Sequence, residues 1–198
     1  MNADTAVAAP RSGSATKQRI LAVADELFYT QGIRATSADR ILEEVGVTKV
    51  TFYRHFRTKS DLVLAYLESQ SAAEQAWISS MRAVGDPLGS LQALAAGIGA
   101  ASCRPGFRGC AFINAAAEFP DPADRVRAAV DAHRDWLYQT FAAIAAEAGA
   151  RSPESAGRQL MLLRDGAMVS GYLNDATQLS EWLAAAFTSV VSAATASA

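Results

Sequence analysis

Cysteine, histidine and proline are all scarce in this chain, and each scarcity excludes something. Its two cysteines, Cys103 and Cys110, form neither a CxxC pair nor a zinc-ligand set, so no disulfide framework is expected, only two reduced and mostly buried thiols. Of the two histidines, His133 has no HxxxH or carboxylate partner at ligand spacing, which leaves no metal centre to expect. Six prolines and few alternating β-branched runs leave helical periodicity dominant. Long apolar runs are missing too: the longest nearly uncharged stretch, Leu88 to Cys103, falls short of the roughly 18 to 20 residues that span a bilayer. The opening MNADTAVAAPRSGSA lacks an apolar core of signal-peptide length and contains Pro, Gly and Ser breakers. Residues 1–15 therefore read as a disordered lead, and the protein as cytoplasmic with no membrane partner. There is no Ser/His/Asp arrangement, no recognisable pair of catalytic carboxylates and no glycine-rich phosphate loop, which argues against an enzyme and against a cofactor.

What is present suffices for a core: 198 residues, 51% of them hydrophobic, predict an all-α protein of about nine helices. The net charge of −2 is unevenly spread. Residues 1–66 carry 9 Lys+Arg against 7 Asp+Glu, residues 67–198 carry 9 against 13, and all three lysines (Lys17, Lys49, Lys59) fall in the first part.

Apolar residues recur at Ile20, Leu21, Ala24, Leu27 and Phe28, the period of an amphipathic helix that Gly32 can end. Thr36 or Ser37 can cap a second helix with Ala38, Ile41, Leu42 and Val45 inward; Gly46 makes a turn. Thr48 can cap a third, Lys49 to about His55, with Val47, Phe52 and Phe56 inward. That leaves Lys49, Val50, Thr51, Tyr53, Arg54 and His55 outward, and no acid occurs between Glu44 and Asp61. An ordinary surface helix mixes charge signs; a helix that reads DNA needs side chains near its N-terminus that reach base edges and flanking donors for phosphates. Lys49 suits guanine O6 or N7, Val50 a thymine methyl, and Thr51 a base or phosphate. Tyr53 and His55 suit phosphates, as do Thr36, Ser37 and Lys59 at helix N-termini.

Residues 16–66, above all GVTKVTFYRHFRTKSDL, resemble the DNA-binding domain of the TetR family of bacterial transcriptional regulators. The resemblance implies phosphate contacts for Thr36, Tyr53, His55 and Lys59 and groove contacts for Lys49, Val50 and Thr51. Two departures stand out. Glu43-Glu44 replaces small residues common in the family and opposes the dipole of the second helix, and Val50 is bulkier than the Gly or Ala often found there. The implied organisation is a helix-turn-helix domain over 16–60 and a helical effector-binding and dimerisation domain over 61–198.

In the second part, helices are expected from Lys59 to about Met81 (apolar face Leu62, Ala65, Tyr66, Ala73, Ala76, Trp77, Met81), from Asp86-Pro87 to about Ser102, within GFRGCAFINAAAEFPD, from Asp121-Pro122 to about Ala148, from Glu154 to about Asn174 and from about Ser180 to the C-terminus. Phe107, Cys110, Asn114 and Glu118 are spaced to share one helix face. Apolar walls with a few polar anchors suit a ligand pocket, and the residues expected to meet the ligand are Trp77, Phe107, Cys110, Asn114, His133, Trp136, Met161, Arg164 and Met168. Small residues in the last two helices, Gly166, Ala167, Ser170, Gly171 and Ala184 to Ala186, permit close approach and suggest a four-helix dimer seam. The expected function is a homodimeric, ligand-responsive regulator, in this family most often a repressor, which binds a pseudo-palindromic double-stranded operator and responds to a small, largely apolar effector. The alternatives are a DNA-binding dimer without an effector and a helical enzyme.

Overall fold

Nine α-helices and no strand make up residues 12–173 and 176–196, the part of the chain that the computed structural model describes. The chain divides into two units, residues 1–66 and 67–198.

In the first unit, α1 (Ser12–Gln31), α2 (Ala38–Val45), α3 (Lys49–His55) and the opening of α4 (Lys59–Met81) enclose Ile20, Ala24, Leu27, Phe28, Ile41, Leu42, Val45, Phe52, Phe56, Leu62 and Tyr66. Four of these helix ends have a local cause. Ser37 accepts from Arg40 N–H to start α2, and Gly46 ends it in the left-handed region at φ 71°, a conformation that costs glycine little. Thr48 accepts from Thr51 N–H to start α3. Thr58 and Asp61 exchange hydrogen bonds, each side chain accepting from the other's N–H at 3.1 Å, a reciprocal cap for α4. Arg19 donates to the carbonyl of Val45 at 2.8 Å and so satisfies one orphan acceptor at the end of α2. The expected caps are thus in place and most of the expected inward residues are buried, but Leu21, Ala38 and Val47 are only half-buried, and α1 begins at Ser12 rather than Thr16.

In the second unit, the rest of α4 packs with α5 (Pro87–Ser102), α6 (Ala111–Glu118), α7 (Arg125–Glu147), α8 (Pro153–Leu173) and α9 (Leu179–Thr195). Leu91, Leu94, Ile98, Leu137, Phe141, Leu160, Leu183 and Phe187 form the centre of its core, each worth roughly 1.5–3 kcal/mol when buried. Glycines set the closest helix contacts: a methyl on Gly157 would stand 2.8 Å from Ala142 N, and one on Gly171 2.5 Å from Ser102 Oγ.

Several expectations are corrected here. The buried stripe of α4 runs through Leu62, Val63, Tyr66, Leu67 and Ile78, while Ala73 and Ala76 are exposed; alanine is too neutral to mark a face. The helix expected from Asp121-Pro122 starts at Arg125, because Asp124 caps it by accepting from Val126 N–H and Asp121 instead accepts from Ala123 N–H in the turn before it. Phe107 and Cys110 precede α6, so they do not share a helix face with Asn114. Cys103 is exposed; only Cys110 is buried. The expected end of the eighth helix at Asn174 and the last two residues of the ninth lie outside the described residues.

Candidate nucleic-acid interface and a buried polar set

The outer surface of α3 displays Lys49, Val50, Tyr53 and Arg54, all exposed, with Val50 at 81% and Tyr53 at 46%. Phe52 holds this surface in place from beneath, fully buried and set edge-on against Tyr53 with ring centroids 5.2 Å apart. Thr51 is half-buried, and its hydroxyl meets that of Thr48 at 3.1 Å. Lys49 pairs with Asp39 of α2 at 2.9 Å, and that contact raises its pKa. Arg40 turns to Glu43 and Glu44 on its own helix, at 3.6 and 2.9 Å, so the two carboxylates that oppose the α2 dipole have a cation beside them.

Two of the other residues expected to meet phosphate, Thr36 and Lys59, are committed inside the unit. Thr36 is buried, and its hydroxyl lies within hydrogen-bond reach of the carbonyls of Gly32 at 2.8 Å and Leu27 at 3.3 Å. Lys59 donates to the Ile33 carbonyl at 2.6 Å with its ammonium 5.9 Å from the Phe28 ring. His55 is half-buried, with Nε2 enclosed and lacking a hydrogen-bond partner among the described residues. Ser37 is exposed and spends one lone pair on its cap.

The second unit has a different peculiarity. The buried stripe of α7 is Val126, Val130, His133, Leu137, Phe141 and Ile144, and that of α8 is Ala156, Gly157, Leu160, Arg164, Ala167 and Gly171. Each stripe carries one polar residue where an apolar one is expected. On α4, Glu74 falls between Leu67, Ser71 and Ile78 at the same spacing. These three polar residues meet. Arg164, 3% exposed, binds Glu74 Oε1 at 2.6 Å and Asp165 Oδ1 at 3.2 Å, while Arg134 holds Asp165 Oδ2 at 2.7 Å. His133 Nε2 stands 3.2 Å from Glu74 Oε2, out of line for a hydrogen bond, and its Nδ1 lies 2.9 Å from the Ser71 hydroxyl. Phe112 of α6 stacks on the imidazole, centroids 3.6 Å apart and planes 3° from parallel, and Trp136 lies 5.6 Å away.

Burial alone would raise the Glu74 pKa, but the His133 contact and the Arg164 charge outweigh it and hold the carboxyl below its ordinary value. Burial also works against the charge of Arg164, yet Cys110, Glu74 and Asp165 around it keep its pKa raised.

The structure thus brings Cys110, His133, Trp136 and Arg164 together and separates the other expected ligand residues. Met161 lines an open groove of about 430 Å³ with Arg134, Tyr138, Arg158 and Leu162. Asn114 donates to the Arg108 carbonyl at 2.9 Å. Trp77 fills the space over Gly97 on α5. Phe107 is half-buried in the loop before α6, and the Met168 carbonyl faces Gly109. Sequence reasoning missed Ser71, Glu74, Phe112 and Asp165. The signal for Glu74 was an acid in register with Leu67 and Ile78.

A three-helix unit with a capped, acid-free third helix, followed by a larger helical unit, defines the helix-turn-helix regulator class. The comparisons narrow this. Residues 20–66 match the family model of bacterial regulatory proteins, tetR family. A TetR-family transcriptional regulator from Streptomyces coelicolor is 40% identical and superposes with a TM-score of 0.87 over 92% of this chain and 97% of that one. A TetR-family regulator from Agrobacterium tumefaciens, 22% identical with a TM-score of 0.78 over 93% and 100%, shares the fold. An HTH-type transcriptional regulator of Staphylococcus aureus is 46% identical over 46 residues, 23% of this chain and 25% of that protein; the match spans a quarter of its length. The chain belongs to the TetR family of transcriptional regulators. No helix among the described residues is long and apolar enough to cross a membrane.

Proposed function

We propose that this protein is a cytoplasmic, non-enzymatic, ligand-responsive repressor that binds a pseudo-palindromic operator as a homodimer. The observation that carries the reading is the outer surface of α3, where Lys49, Val50, Tyr53 and Arg54 stand exposed on a helix without an acid. Lys49, Val50 and Thr51 reach base edges. Tyr53 and His55 serve the phosphates, with Ser37, Thr48 and the backbone N–H groups of the α2 and α4 openings. Thr36 and Lys59 support those contacts by fixing the loop before α2.

The dimer forms through α8 and α9, whose exposed Leu162, Val169, Tyr172, Leu173 and Trp182 supply apolar surface. The effector has an apolar body that meets Phe112 and Trp136 and a polar group that competes for the set around Glu74, His133 and Arg164. A second reading, a dimer without an effector, draws support from the stacking of Phe112 on His133 at 3.6 Å, which leaves no gap between those rings. A thermal-shift screen of small molecules separates the two: saturable stabilisation that the paired Glu74→Leu/Arg164→Met variant, which removes both buried charges together, abolishes supports the effector.

Replacing Lys49 or Tyr53 by Ala is expected to weaken operator binding by about 1–3 kcal/mol while the dimer stays folded. Gel-shift titration at fixed salt on a genomic site found by footprinting measures it; unaltered affinity in both variants sinks the recognition-helix assignment.

A further inference from the structure

Lys49 is the first residue of α3, a helix with no acid in its first turn. A cation there opposes the helix dipole, and a flexible lysine on a DNA-facing surface has a stronger attraction than a base edge within reach, the nearest phosphate. The restraint comes from another element. Asp39, in the first turn of α2, places a carboxylate oxygen 2.9 Å from the Lys49 ammonium. Both side chains are largely exposed, at 67% and 71%, so the pair contributes little to stability and its effect is on where the ammonium points. Asp39 has a favourable dipole position of its own at the start of α2 and does not depend on Lys49 to be accommodated. Arg40, the next residue, is occupied by Glu43 and Glu44, so Lys49 is the cation that Asp39 holds.

We propose that Asp39 is a positioning residue for sequence discrimination: it holds Lys49 off the phosphates and aims it at a base edge, at the expense of affinity for DNA in general. This rests on the DNA-binding reading above. An ammonium has three donors, so one hydrogen bond to Asp39 leaves two for guanine O6 and N7. The carboxylate also cancels the charge that would otherwise release one more counterion.

The test is selection from a randomised duplex library with the full-length protein, followed by titration of selected and scrambled duplexes between 50 and 200 mM salt. The variants are Asp39→Ala, Asp39→Asn, Asp39→Glu and Lys49→Ala. Wild type is expected to return a consensus in which Lys49→Ala erases the preference at one position per half-site. Asp39→Ala and Asp39→Asn are expected to weaken that same preference roughly 5-fold or more. They should bind scrambled DNA more tightly, with a salt dependence steeper by roughly 0.9 in log–log slope per recognition helix. Asp39→Glu should restore the wild-type profile, whereas a merely structural loss at the start of α2 would weaken binding to selected and scrambled duplexes together instead of tightening the scrambled one, and thermal melting checks that all four variants are folded. A wild type that selects no consensus overturns the DNA-binding reading and the proposal together. A wild-type consensus that the Asp39 variants reproduce at the same salt slope overturns the proposal alone.

Discussion

Arg164 shows how one buried charge organises its surroundings. A guanidinium at 3% exposure is tolerated only because Glu74 and Asp165 both bind it, and a buried charge that loses a partner is strongly destabilising. Glu74→Gln is therefore expected to lower unfolding free energy toward the lower end of roughly 3–5 kcal/mol, Asp165 remaining in place. Its pH dependence has a definite sign. The Glu74 pKa is lowered from 4.5, so its contribution is complete above 4.5 and fades as pH falls through the folded value. Urea melts at pH 7 and in acid should show the gap between wild type and Glu74→Gln closing; a gap independent of pH would remove Glu74 from the account. This residue was hard to see from sequence because its partners lie far along the chain, 90 positions away for Arg164, and Ser71 lies 62 from His133. No local window contains such a site. The outward surface of α3, proposed above to read DNA, is legible for the opposite reason: cap, turn glycine and outward cations of α2 and α3 all fall between Ser37 and Arg54.

At the scale of elements, the glycines of α8 divide into two kinds. Gly157 faces the backbone of α7, where a methyl would stand 2.8 Å from Ala142 N and 2.9 Å from its Cα. Gly157→Ala should force α7 and α8 apart and cost roughly 1–3 kcal/mol. Gly166 is exposed with nothing of its own chain within 4 Å of a built methyl, so Gly166→Ala should gain up to about 1 kcal/mol of helix propensity within the protomer. It shares the exposed face of Leu162, Val169 and Leu173, however, and in the proposed dimer a loss of association would place it at the seam. Chemical denaturation of the two variants checks both; a Gly157→Ala protein as stable as wild type would mean that the α7–α8 contact relaxes freely. Small residues in the last two helices suggest a dimer seam, yet Gly171 packs on Ser102 and Ala167 is buried at 5% exposure within the unit. A small side chain marks a close approach without saying whose helix approaches. The large exposed residues Leu162, Val169, Leu173 and Trp182 are the better indication.

For the whole molecule, a proposed dimer that reads two half-sites makes geometric demands. Hydroxyl-radical footprinting is expected to show protected tracts centred ~34–36 Å apart if the half-sites lie one turn apart. Deleting residues 179–198, and α9 with them, should give a monomeric or poorly folded protein by light scattering and circular dichroism; a stable dimer after that deletion would refute the seam. The deletion also removes Leu179, Leu183, Phe187 and Val191 from the core, so Trp182→Asp, on the exposed side at 61%, separates association from folding. An effector that drives the operator-bound form from 99:1 to 1:99 must prefer one state by about 5.5 kcal/mol, and calorimetric titration with and without operator measures that preference.

The shared custody of Arg164 also constrains how such a chain can diversify. Glu74 and Asp165 both bind that guanidinium, but Asp165 also has Arg134, so a lineage that replaced the arginine alone would strand Glu74, and one that replaced Glu74 alone would leave the buried arginine with Asp165 only. Viable descendants are expected to exchange these residues in groups, an apolar Glu74→Leu with Arg164→Met costing far less than either change by itself. Single replacements at Glu74 or Arg164 are thus expected to fold less well than the paired one, a difference that denaturation of the two single variants and the double variant measures.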